Sequence, residues 1–242
     1  MNSLIVYRDE GWESKRITLF GERARFAYNA GASQVGAQVH VALFGGDKGL
    51  GTIVEASRER VVIDLTWMGP SLELRAIDLV VGLSRPQTTK KVIQAAVMAG
   101  VRSLHLVHLS SGEKSYLDAH LLEESNLRTE VVKALEQIWE GNYPEIRVHG
   151  HFGRFVAAHK SLLSTSDRAM RVVAEPGGVA LGARQCTLSS AAVIAVGSEG
   201  GWSEKELTTL TDLGFVKVGL GTRVVRVEVA LLYLLGQTLT IE

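Results

Sequence analysis

The stretch VIAVGSEGGWSEKEL, residues 193–207, decides how this chain is read. Its first residues are apolar without interruption, as in a strand covered on both faces. The run then meets Gly197-Ser198-Glu199-Gly200-Gly201. Ser203-Glu204-Lys205-Glu206 has the spacing of a capping box, in which the serine hydroxyl takes a free amide of the first turn and the glutamate reaches back. This predicts a helix to about Leu213, closed by Gly214 in the left-handed conformation. Strand, glycine turn and capped helix form the repeating unit of an open α/β sheet, and ligands bind beyond the carboxyl ends of such strands. Glycines there expose amides and carbonyls to a closely approaching ligand. The closing Gly-Lys-Ser/Thr of a P-loop is missing, and so is the Gly-x-Gly-x-x-Gly of a dinucleotide turn.

The same unit recurs. VKVGLGTRVVRVEVALLYLLGQ (216–237) reads as strand, a turn at Gly219-Leu220-Gly221, and helix, with Arg223, Arg226 and Glu228 near the helix start. VVAEPGG (172–178) reads as a strand ending in Glu175-Pro176-Gly177-Gly178. Three glycine exits of this kind are expected to line one pocket. AIDLVVGLS (76–84), SLHLVHL (103–109) and EIRVHG (145–150) supply further strands. TTKKVIQAAVMAG (88–100) reads as a helix, and residues 117–139 as a long one. Apolar strands alternating with helices define an α/β domain with a mostly parallel sheet.

Before this domain the rhythm differs. KRITLF (15–20), QVHVALFGG (38–46), GTIVEAS (51–57) and RVVIDLTW (60–67) are short, β-branched strands. Gly45-Gly46-Asp47-Lys48-Gly49 reads as a hairpin connection, and no long helix is expected before about residue 86. A small barrel follows from this pattern, with a domain boundary near Trp67–Arg75. The expected domains are 1–72 and 73–242.

Composition narrows the function. Lys+Arg and Asp+Glu are both 26, so the chain has no net charge and nucleic acid is reached, if at all, by a local patch. The single cysteine, Cys186, allows no disulfide within the chain and is read as a small buried or loop residue of a reduced cytoplasmic protein. No signal peptide is read at the N-terminus, and the apolar ALLYLLGQTLTI is too short to span a bilayer, so no membrane association is expected. His149-Gly150-His151 has neither carboxylate nor cysteine beside it, so no metal is expected.

GSEGGWS resembles the Gly-Pro-Glu-Gly-Gly-Phe/Leu-Ser motif of the RsmE-type 16S rRNA (uracil-N3) methyltransferases. LGTRVVRVEVA resembles their Leu-Gly-x-Arg-Ile-Leu-Arg-x-Glu-Thr-Ala, in the same order and spacing. LFGGD, SRPQTTKKVIQAAVMAGV and EQIWEGNYPEI carry weaker likenesses along the chain. The resemblance implies a SPOUT-type parallel sheet whose C-terminal segment forms a deep trefoil knot, preceded by a PUA-like RNA-binding barrel. It implies a homodimer that binds S-adenosylmethionine and methylates a uridine of 16S rRNA in the small ribosomal subunit.

The cofactor-binding residues it implies are Ala174, Glu175, Val196, Gly197, Glu199, Gly200, Leu220, Gly221, Val225 and Arg226. Arg226, Glu228 and Arg85 are the catalytic candidates, because methylation at N3 needs a proton removed or a uracil anion stabilised. Trp202 is read as a packing anchor. The chain departs from the family's pattern at several places. Val229 stands where the family has threonine, Glu140 where it has arginine, and Gln94-Ala95-Ala96-Val97 lacks its lysine and glutamate. These departures motivate an alternative: a diverged paralogue that binds RNA, with another RNA target or as an inactive assembly factor.

Overall fold

The computed structural model describes residues 3–164, 170–180 and 192–238, so Cys186 lies outside the described residues. Two compact units emerge. One comprises Met1–Glu73 with Val131–Tyr143, the other Leu74–Glu130 with Pro144–Glu242.

The first unit is built on a five-stranded sheet. Its strands are β1 (Leu4–Val6), β2 (Arg16–Phe20), β3 (Gln38–Leu43), β4 (Asp47–Ala56) and β5 (Arg60–Pro70), in the order β1-β3-β4-β5-β2. β1 is parallel to β3, and the other pairings are antiparallel. Alternation sets the buried face: Ile17 and Leu19 of β2 and Val61, Ile63 and Leu65 of β5 enter one core. The hairpin between β3 and β4 turns through residues 44–46, and Asp47, Lys48 and Gly49 already belong to the ladder.

A nine-residue helix, α1 (Gly21–Asn29), stands where the sequence pattern shows no helix. Its buried residues are Ala24 and Ala27. Alanine is the strongest helix former but contributes little apolar periodicity, so the helix is silent in a hydrophobicity pattern.

The segment Val131–Tyr143 completes this unit. The Trp139 ring stacks on His40 with centroids 3.9 Å apart, and its indole N–H donates to the Val41 carbonyl at 3.0 Å. Glu140 pairs with Lys48 at 2.6 Å and accepts from the Leu72 amide at 2.8 Å. The anion that replaces the family's cation here therefore has an internal partner.

The second unit is a six-stranded, all-parallel sheet in the order β11-β9-β10-β6-β7-β8. The strands are β6 (Arg75–Gly82), β7 (Val101–Val107), β8 (Glu145–His149), β9 (Met170–Ala180), β10 (Ala192–Val196) and β11 (Val216–Gly219). Every residue of β10 is buried, as a strand covered on both faces requires. The helices are α2 (Pro86–Met98), α3 (Glu124–Ile138), which passes into the first unit at Val131, α4 (Phe152–Ala158), α5 (Lys160–Ser164), α6 (Glu204–Asp212) and α7 (Val227–Thr238). The long helix expected over 117–139 begins only at Glu124, after two short 3-10 turns at Lys114–Asp118 and His120–Leu122. Among the described residues no helix is long and apolar enough to cross a membrane.

Glu136, in the first unit, is 4% exposed, and one of its carboxylate oxygens has no hydrogen-bond partner among the described residues. Burial, only partly offset by the Arg23 charge, pushes its carboxyl up to about 7 from 4.5. A raised carboxyl pKa withdraws stability as pH climbs from the unfolded value to the folded one. Glu136→Gln is thus expected to melt higher than the parent protein above pH 7, the gap closing towards pH 4.5, as followed by circular dichroism melts across that range.

Candidate functional site

Parallel strands place their carboxyl ends on one side of the sheet, and a cavity of about 840 Å³ lies there in the second unit. Three segments wall it. From β9 come Ala174 and Glu175, and from the exit of β10 come Val196, Gly197, Glu199 and Gly200. The exit of β11 brings Leu220, Gly221, Val225, Arg226 and Glu228, and Arg85 joins from the start of α2. Every cofactor and catalytic candidate read from the sequence lines this one cavity.

The β9 wall differs from its sequence reading. The strand does not end at Glu175-Pro176-Gly177-Gly178 but runs to Ala180. Against β11, Val173 pairs with Lys217 and the next rung is Val179 with Val218, so residues 174–178 leave the ladder as a wide bulge. Only the non-local pairing with β11 marks it as a detour rather than an exit.

The turn after β10 is fixed from several sides. Gly201 has φ +69°, and its amide donates to the Ser198 carbonyl at 2.9 Å. Ser111 Oγ donates to the Gly201 carbonyl at 2.7 Å. A Cβ on Gly200 would come within 2.8 Å of the Ser111 Cβ, so this glycine is required for packing within the protein as well as for access to a ligand. At the end of β6 a Cβ on Gly82 would lie 2.3 Å from the Ser198 amide nitrogen.

Glu206 ties these parts together. Its carboxylate accepts from the Ser110 amide at 2.9 Å and from the Ser203 amide at 2.8 Å, completing the capping box read from the sequence. Burial opposes ionisation, but the hydrogen bonds from Ser110 and Ser203 outweigh it and hold the carboxyl below its ordinary value. Gly214, at φ +86°, ends the helix as expected.

Charge in the cavity centres on Glu228. One carboxylate oxygen accepts from Lys91 Nζ at 3.0 Å, while the other is buried with no hydrogen-bond partner among the described residues. Burial is again outweighed, here by a backbone hydrogen bond and by the Lys91 and Arg226 charges, so Glu228 stays ionised below its ordinary pKa. Arg226 is exposed at the cavity wall. Arg85 is the N-cap residue of α2; its Nε donates to Thr88 Oγ1 at 3.3 Å and lies 3.8 Å from Glu199, whose carboxylate accepts from the Arg85 amide at 3.3 Å.

Trp202 packs edge-on against Phe152 at 5.9 Å and joins the core, as a packing anchor, while its indole N–H is buried without a partner. Lys91 was missed in the sequence, because a lysine on a helix face carries no signal of the glutamate 137 residues away that it meets. His149 and His151 also part company. His151 Nδ1 accepts the Gly153 amide at 3.0 Å to cap α4, whereas His149 faces His105 and His159.

Comparison with known proteins places this geometry. A family model described as RNA methyltransferase domain matches residues 71–239. The chain is 31% identical over 160 residues to ribosomal RNA small subunit methyltransferase E of Treponema pallidum (strain Nichols). That match covers 64% of this chain and 58% of the relative, so it spans less than two thirds of the relative's length. Among solved structures, ribosomal RNA small subunit methyltransferase E of Neisseria gonorrhoeae, bound to S-adenosylmethionine, superposes with a TM-score of 0.74 at 19% identity, covering 97% of this chain and 95% of the other. A methyltransferase of Legionella pneumophila, in complex with S-adenosylmethionine, gives 0.73 at 18% identity, covering 98% and 96%. These two likenesses establish a shared fold.

Glu206→Gln is expected to cost about 1.5–3 kcal/mol at neutral pH, the scale of hydrogen bonds to a charged acceptor. Because the folded carboxyl titrates below the unfolded value of 4.5, that contribution is present above pH 4.5 and is lost as pH falls through the folded value. Urea unfolding of both proteins at pH 7 and pH 4 checks the size and the sign.

Proposed function

The chain belongs to the RNA methyltransferase domain family, and we propose on that premise that it transfers a methyl group from S-adenosylmethionine to N3 of a uridine in 16S rRNA of the small ribosomal subunit. One observation carries the reading: the detour within β9 and the exits of β10 and β11 wall a single cavity in which Glu228 is ionised and keeps one carboxylate oxygen without a hydrogen-bond partner among the described residues. The relative named ribosomal RNA small subunit methyltransferase E from Treponema pallidum and the solved structures with S-adenosylmethionine bound support the choice of substrate and methyl donor.

The cavity fits the methyl donor. Its volume is that of a ligand site for a molecule of nucleoside size. The backbone groups of Val196, Gly197, Gly200, Leu220 and Gly221, with Ala174, Glu175, Glu199 and Val225, would hold the adenosine. When bound, S-adenosylmethionine supplies an electrophilic methyl group, leaving binding, aim and electrostatics to the protein. Glu228 is ionised and offers its free oxygen as a hydrogen-bond acceptor for the N3–H of a uracil swung out of its stack. Arg226 stabilises the negative charge that develops on the uracil as that proton leaves. Arg85, on the cavity wall, reaches a phosphate or the base. Lys91 acts through Glu228, holding it in place and charged.

The finer architecture proposed here is that of the family resemblance: a C-terminal trefoil knot around the cavity, a PUA-like first unit that binds RNA, and a cytoplasmic homodimer. The exposed apolar face of α7 supports the dimer. Val229, Leu232 and Tyr233 there, with the 89% exposed Val224 before it, form a patch of the kind that marks a protein interface. Methyl transfer in this scheme uses no metal.

Calorimetry should give saturable S-adenosylmethionine binding, weakened at least tenfold by Ala174→Phe, which adds a ring to the cavity wall. Radiolabelled methyl transfer to small ribosomal subunits should fall by about 10²-fold or more in Arg226→Ala, the scale of a lost transition-state donor. Binding without transfer to any subunit or naked 16S rRNA would favour the RNA-binding paralogue instead. Sedimentation should show about twice the 26.2 kDa chain mass, and a monomer at micromolar concentration would overturn the dimer.

A further inference from the structure

A second constellation lies away from the cavity and shares no residue with it. His105 sits on β7 and is 4% exposed. In the parallel β7–β8 ladder His105 is opposite Arg147 and Val107 is opposite His149, so His105 and His149 project from the same face of the sheet. His159 follows Phe155 by four residues at the end of α4, which brings both side chains to one side. The three imidazole centroids are 4.9–5.2 Å apart, and the Phe155 ring packs against all three.

The nitrogens converge. Each histidine offers one ring nitrogen such that all three lie within 4.8 Å of one another. His105 Nδ1 and His149 Nε2 are 3.0 Å apart and share one hydrogen, which an incoming ion would displace. His159 Nδ1 is 3.0 Å from the Phe155 carbonyl oxygen, which can only accept. That nitrogen therefore carries the hydrogen, and Nε2 keeps its lone pair. A backbone carbonyl on the far nitrogen is how metal-bound histidines are oriented. Tetrahedral zinc, with Zn–N of about 2.0–2.1 Å, needs nitrogens about 3.3 Å apart. The 3.0 Å between His105 Nδ1 and His149 Nε2 is near that value.

We propose that His105, His149 and His159 bind one divalent transition-metal ion, Zn²⁺ by preference, with the fourth position left to water. The surrounding charges are compatible. Asp78 is engaged by Arg102 and Ser103, and Arg147 is paired with Glu145 at 2.8 Å. The ion would clamp the edge strand β8 to the turn between α4 and α5. This proposal does not depend on the methyltransferase reading.

The test is Zn²⁺ titration by calorimetry into the untagged full chain, stripped beforehand with a chelator, at neutral pH. One ion per chain is expected, together with the visible absorption of a tetrahedral site when Co²⁺ is used instead. His149→Gln and His159→Gln should each weaken Zn²⁺ binding by about 10–100-fold or more, and Zn²⁺ should raise the melting temperature of the parent protein but of neither variant. His149→Phe keeps the ring stack and serves should the glutamine variants fold poorly. No saturable binding by the parent protein would overturn the proposal and leave the three rings as a stacked packing cluster. Binding unchanged in the variants would overturn it equally, because the ion would then sit elsewhere.

Discussion

The second unit depends on one buried carboxylate. Glu206 is the only first-turn residue of α6 that reaches both its own N-cap and the loop after β7. By accepting two backbone amides it sets the start of α6, and with it the turn that leads there from β10. That turn is held on its other flank by contact too close for any side chain at Gly82. A carboxylate with this many donors favours its charged form despite burial, so the anchor is electrostatic as well as geometric. The cavity wall inherits its shape from these restraints, because the glycines lining it have no side chains with which to brace themselves.

What was legible in the sequence was local. The strand, glycine turn and capping box around residues 193–207 announce themselves because each signal falls within a few residues of the next. The central parallel strands were visible for the same reason, since a strand covered on both faces, such as β10, is apolar throughout. What was hidden was non-local or small. Helix α1 buries alanines, which leave no periodic trace. The return of Val131–Tyr143 to the first unit rests on Trp139 meeting His40 and Val41, about a hundred residues earlier in the chain. The Glu228–Lys91 pair and the meeting of three histidines from two strands and a helix end are products of topology, and no spacing rule anticipates them.

The departures from the family pattern now have a physical setting in one case. Glu140 is compensated within its own unit by Lys48 and the Leu72 amide, so its change of sign need not weaken the fold. Val229 is nearly half exposed on α7, at 47%, and nothing in the structure explains why it stands in place of threonine. Nothing in the structure explains the absence of the lysine and glutamate from the helix that carries Gln94.

The bulge in β9 has an evolutionary consequence. Residues 174–178 leave the ladder between two rungs, Val173–Lys217 and Val179–Val218, that are secured independently. A Cβ on Gly178 would lie 2.6 Å from the Val218 backbone and Gly177 has φ +82°, so exchange that leaves the register of the flanking strands intact falls on residues 174–176. Selection can therefore remodel this wall while the sheet that supports it stays constant, so ligand preference can drift on a scaffold under separate constraint.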